Sequence, residues 1–170
     1  MKLTVVRSKT NGKNSRRKFL ASAAAGAASS TLPLTAQQGF IRAFDHVALP
    51  MQNTAAMIAF YRSLGLQVEE RPQACVVHFG DQMINFHRPE YWQSGTFTLR
   101  APAAKPPCGD LCFVWEGTAG SLQALLARAK AKIEVGPAPR QGGRKGGSLT
   151  GSSVYVRDPD GNLLEFMIYS

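Results

Sequence analysis

Apolar and polar positions along the chain change period several times, and each change marks an element. Residues 44–49 read as a strand, followed by Ala55, Met57, Phe60, Tyr61 and Leu64 at helical spacing before Gly65. Asn53 or Thr54 is placed to cap that helix, and Gly65 to end it. Short strands are expected around 66–71, 74–79 and 83–88, with Gly80 and Asp81 turning between the last two. The order then repeats: a strand at 111–115, then a helix capped by Ser121 with Leu122, Leu125, Leu126 and Ala129 on one face. Strands near 132–135, 153–157 and 162–168 close the chain. Two dissimilar segments sharing one βαβββ order predict an α+β fold whose modules join in one continuous, cupped mixed sheet.

Module one is placed at 41–89, a Pro- and Ala-rich linker at 90–109 and module two at 110–170. The linker is expected to hold one short extended piece at Phe97, Thr98 and Leu99. The Gly-rich stretch 136–147 reads either as a basic flap over a cleft or as a long exposed hairpin connection. It is no P-loop, because the Gly-Lys-Ser/Thr order is missing.

Charge separates the first 36 residues from the rest. They hold seven Lys/Arg and no Asp/Glu; the chain's 20 basic residues less these seven leave 13 against 11 acidic ones. A nearly balanced remainder of 134 residues suits one sizeable core and argues against a nucleic-acid partner. The leader itself, with Arg16-Arg17-Lys18-Phe19-Leu20, an Ala-rich stretch and then Leu34-Thr35-Ala36, resembles a twin-arginine (Tat) export signal. That resemblance implies cleavage after Ala36, a mature domain at 40–170 in the periplasm or outside the cell, and membrane contact only during transit. Cys75, Cys108 and Cys112 are an odd set, read as small buried thiols with one disulfide left open.

Two ionisable residues stand out, His46 on the first strand and Glu165 on the last. Each is costly to bury alone, so a shared polar site such as a metal centre would account for both. Four segments carry a family resemblance: Asp45-His46-Val47-Ala48-Leu49, Phe60-Tyr61-Arg62-Ser63-Leu64-Gly65-Leu66, the run from Phe79 to His87, and the run from Arg157 to Glu165. Together they make residues 41–170 similar to the vicinal oxygen chelate superfamily of glyoxalases, ring-cleaving dioxygenases and bleomycin-resistance proteins.

The resemblance implies a divalent ion (Fe, Mn, Ni or Zn) held on the first and last strands of each module, with His46 and Glu165 at matching positions. Asn85 stands where a glutamate is usual and Asp110 where a histidine is usual. Because strand residues two apart share a face, His87 offers a replacement, giving a candidate ligand set of His46, His87, Asp110 and Glu165. Glu165 is also the candidate proton acceptor. Three function classes stay open: a metal-dependent lyase, isomerase or dioxygenase acting on a small oxygenated molecule, a metal-free drug-binding protein, and an interaction or structural role with no ligand. The second would use a cleft lined by aromatics such as Phe86, Trp92, Trp115 and Tyr155. A homodimer is expected from the resemblance alone.

Overall fold

The computed structural model describes residues 39–169, of which 41–169 form one compact unit. The expected export leader lies outside the described residues. Module one runs β1 (His46–Pro50), α1 (Thr54–Ser63), β2 (Gln67–Glu70), β3 (Ala74–Phe79) and β4 (Gln82–His87). A one-turn helix α2 (Pro89–Trp92) opens the connection to β5 (Asp110–Val114), α3 (Ala119–Arg128), β6 (Val135–Gln141), β7 (Thr150–Arg157) and β8 (Leu163–Ile168).

The two modules repeat one sheet. The first orders its strands β1-β4-β3-β2 and the second β5-β8-β7-β6, each with a parallel first pair and antiparallel pairs after it. The α+β fold with two mixed sheets is therefore as the sequence predicts. The two ladders are separate four-stranded sheets, rather than one hydrogen-bonded run, and β1 and β5 stand at their edges.

Period-two alternation sorts each sheet into an inner and an outer face. Val47, Leu49, Ile84, Phe86, Cys75 and Val77 point inward with Met57, Phe60 and Tyr61 of α1. Val154, Val156, Leu164 and Phe166 of the second sheet join the same cluster, with Leu122, Leu125 and Leu126 of α3. Phe79 and Phe113, one from each module, stack with ring centroids 4.7 Å apart. Both inner faces thus share one core, which leaves both outer faces turned away from it.

The turn after β7 locks the modules together. Buried Asp158 accepts hydrogen bonds from Tyr61 Oη (3.1 Å), Asn162 Nδ2 (2.8 Å) and the backbone N–H groups of Asp160 and Asn162. Asn162 Oδ1 in turn accepts from the N–H groups of Cys108 and Gly109, fixing the start of β5. Asp160 accepts from the N–H groups of Gln52 and Asn53 (2.7 and 2.8 Å), which ties the turn to the two residues just before α1. Burial pushes the Tyr61 hydroxyl well above its ordinary range, so it stays a donor.

Several local expectations are corrected. Asn53 makes no capping bond from its side chain, and Thr118 rather than Ser121 caps α3, accepting from the Ser121 N–H (3.1 Å). Phe97 to Leu99 form no strand. Residues 136–141 belong to β6, whose ladder with β7 is interrupted by a bulge between Val135 and Ala138. Gly136 makes that bulge possible: its φ is +114°, and a Cβ there would collide with Ser153 O. Only 142–149 remain as the connection to β7.

Candidate functional site

The outer face of the first sheet carries all three histidines of the chain. Register places His46 beside Met83 and His78, and Ala48 beside Asn85 and Val76. His87 follows Asn85 by two positions and shares its face. His46 Nδ1 lies 2.6 Å from Asp45 Oδ1, which orients the ring and leaves Nε2 outward, the arrangement of a metal-ligating imidazole backed by a carboxylate.

An open cavity of about 730 Å³ covers this face, lined by His46, Asn85, His87, Arg71, Tyr91 and Phe97 among others. His87 meets Tyr91 and Phe97 edge-on, at 5.6 and 5.0 Å between centroids, and those two rings stack at 4.2 Å. Burial pushes the His87 imidazole below its ordinary range, which keeps it in the neutral form that binds metals. Arg71 grips Glu69 with two 2.8 Å hydrogen bonds and holds that carboxyl below its usual range. His78 Nε2, 3.5 Å from Glu69 Oε2, is buried without a hydrogen-bond partner.

The outer face of the second sheet carries the carboxylates. Asp110 and Cys112 lie two apart on β5, and the register aligns Cys112 with Glu165 and Tyr155. Cys112 thus holds the place of Ala48, and Glu165 that of Asn85, so the exchange of Glu for Asn seen in the sequence is a real asymmetry between equivalent positions. Ser153 Oγ donates a short hydrogen bond to Glu165 Oε1. Partial burial, and after it the Glu165 carboxylate, push the Cys112 thiol up to about 12.

The structure therefore brings the sequence's candidates together in two halves. His46 and His87 line one cavity; Asp110 and Glu165 occupy the opposite module's outer face. Among the described residues, no group of three or more His, Cys, Asp or Glu could hold a metal within one chain. The donor types, two imidazoles and two carboxylates, do suit a first-row divalent ion. All three cysteines are free, and only Cys75 is buried.

The aromatic lining differs from the sequence reading. Phe86 is in the core and Trp92 is buried, its indole N–H donating to Met51 O (2.8 Å). Trp115 borders an inner crevice with Phe113 and Leu125. Tyr155 alone of the four faces outward beside Glu165. Tyr91 and Phe97, which line the cavity instead, sit in the linker, where no periodicity marks them.

Residues 43–166 match the model of the Glyoxalase/Bleomycin resistance protein/Dioxygenase superfamily. The chain is 33% identical to the glyoxalase domain-containing protein RDO1 of Mycosarcoma maydis over 130 residues, covering 76% of this chain and 69% of that one. It is 32% identical to the virulence protein STM3117 of Salmonella typhimurium over 136 residues, covering 78% and 88%. The crystal structure of that virulence protein superposes with a TM-score of 0.67, covering 78% of this chain and all of the other. An integron cassette protein of Vibrio cholerae gives the same TM-score at 27% identity, covering 78% and 99%. The βαβββ repeat, the family match and these likenesses agree: the chain belongs to the glyoxalase/bleomycin resistance protein/dioxygenase superfamily.

Proposed function

We propose that the protein is an exported, metal-dependent lyase, isomerase or dioxygenase acting on a small oxygenated molecule. In this reading it works as a homodimer, with the first outer face of one protomer closing over the second outer face of its partner. His46 and His87 would approach the ion from one side, Asp110 and Glu165 from the other. The observation that carries the reading is the division of one plausible ligand set between two outward faces of a single core. The edge positions of β1 and β5 support it, since unpaired strand edges accept a second chain, and Phe44 and Val114 are exposed beside them.

A divalent ion bound there would polarise a substrate carbonyl or bind oxygen. The chain's own residues supply the rest. Asp45 keeps the His46 ring turned so that Nε2 faces the ligand, and Ser153 fixes the Glu165 carboxylate as acceptor for a substrate proton. The Asn85 amide offers a donor to a substrate oxygen where a second carboxylate would repel it.

Subunit complementation tests this. His46→Ala and Glu165→Ala variants should each lose metal. Exchanging their subunits should restore one native site per heterodimer, read as regained metal on a species of dimer mass. Metal that stays absent after exchange would argue against a shared site. Folded wild-type protein that is metal-free and unresponsive to added divalent ions would sink the enzyme reading. A metal-free binding protein would then stand, a reading that Asn85 at the place of Glu165 and the Tyr91–Phe97 stack favour. Export through the Tat route predicts a periplasmic product whose mass begins after Ala36.

A further inference from the structure

Arg140, on β6, stands apart from the other arginines in or next to the strands. Arg71, Arg88 and Arg157 each pair with a carboxylate, as does Arg62 of α1. Arg140 pairs with none among the described residues, although hydrogen bonds hold its side chain. Nε donates to Tyr155 Oη (3.1 Å), Nη1 donates to Pro139 O (2.9 Å), and the guanidinium lies over the Tyr155 ring at 5.6 Å from its centroid.

The brace is neutral, so the positive charge is held in place without being neutralised. The bracing residue is also the cross-strand neighbour of Glu165. Arg140 itself pairs with Gly151, which has no side chain to stand in front of it. The two bonds use Nε and Nη1, and Nη2 makes no hydrogen bond among the described residues, so its N–H groups are free to bind an oxyanion.

We propose that Arg140 determines specificity, so that the ligand of this site is an anion carrying a carboxylate or phosphate group at a distance from the part that faces Glu165. The inference rests on the reading that the Glu165 face lines the ligand cup. Tyr155 is a positioning residue, which keeps the guanidinium over that face. Carboxylate and phosphate offer the same oxygen geometry, and the probes below separate them.

Calorimetric titration of the full-length protein with benzoate, phenyl phosphate and benzyl alcohol tests it, because the three share a ring and differ in charge. At least one anion should bind roughly ten-fold or more tightly than the alcohol. Arg140→Gln should abolish that preference while leaving alcohol binding, oligomer mass and melting temperature unchanged. Arg140→Lys should recover only part of it, since an ammonium lacks the planar fork, and Tyr155→Phe should weaken anion binding several-fold. Equal binding of all three probes, no binding of either anion, or an anion preference that survives in Arg140→Gln would overturn the proposal. Failure of the metal reading looks different: no metal, with Arg140-dependent anion binding retained, leaves this inference standing.

Discussion

Replacing Asp158 with alanine is expected to lower unfolding stability by at least about 3 kcal/mol, because one buried carboxylate satisfies four donors at once. Two of these donors are backbone N–H groups of the turn itself. The other two, Tyr61 Oη and Asn162 Nδ2, tie that turn to α1 and to the start of β5. Removing the acceptor leaves all four donors without a protein partner in a region with little access for water. Asp158→Asn should cost less, since the amide oxygen can keep the two backbone bonds and the Tyr61 hydroxyl can turn to accept. Its Nδ2 would still face the Nδ2 of Asn162, so recovery should be incomplete. Asp160→Ala gives the comparison. It removes the acceptor for the Gln52 and Asn53 N–H groups at a half-buried site and should cost about 1 kcal/mol, the usual net contribution of such hydrogen bonds. Urea denaturation of the three variants would establish the order. An Asp158→Ala protein as stable as wild type would mean that the turn does not hold the modules together.

The elements were legible in the sequence where packing follows local pattern. The helix over Met57, Phe60, Tyr61 and Leu64 and the strand pairs around Val76 and Ile84 all bury the residues their spacing selects. His46 and Glu165 were legible as site candidates because an ionisable group on an otherwise apolar strand is conspicuous. The strand β6 was hidden, since Gly136, Pro137 and Pro139 carry turn signals while their strand exists through pairing with β7. Capping was misjudged for a related reason. Thr118 and Ser121 are both competent caps, and the choice depends on where the chain leaves β5. What no single-chain pattern contains is the division of the ligand candidates between two outer faces, which follows from how the modules share a core.

Cys112 should hold about 1000-fold less thiolate at neutral pH than an unshifted cysteine, and so be alkylated far more slowly than one with equal access, despite its exposure. Only the thiolate attacks, and a thiol raised from the ordinary 9.0 to about 12 has that much less thiolate at any pH below 9. Partial burial is the first cause and the neighbouring Glu165 carboxylate the second, so Glu165→Gln should speed the reaction without restoring the ordinary rate. Access and acidity separate by pH. A merely shielded thiol would level off near pH 9, whereas Cys112 should keep gaining about ten-fold per unit up to pH 10 and beyond. Cys108, exposed and raised by burial alone, is the internal reference, with each site quantified by mass spectrometry of peptides from iodoacetamide-treated protein. The same shift has a consequence for folding. A thiol that holds its proton more tightly in the folded state favours that state fully below pH 9, and the gain is lost as pH rises through the interval to about 12. Equal rates at Cys108 and Cys112, or a Cys112 rate that is indifferent to Glu165→Gln, would show that the thiol and the carboxylate do not share one electrostatic environment.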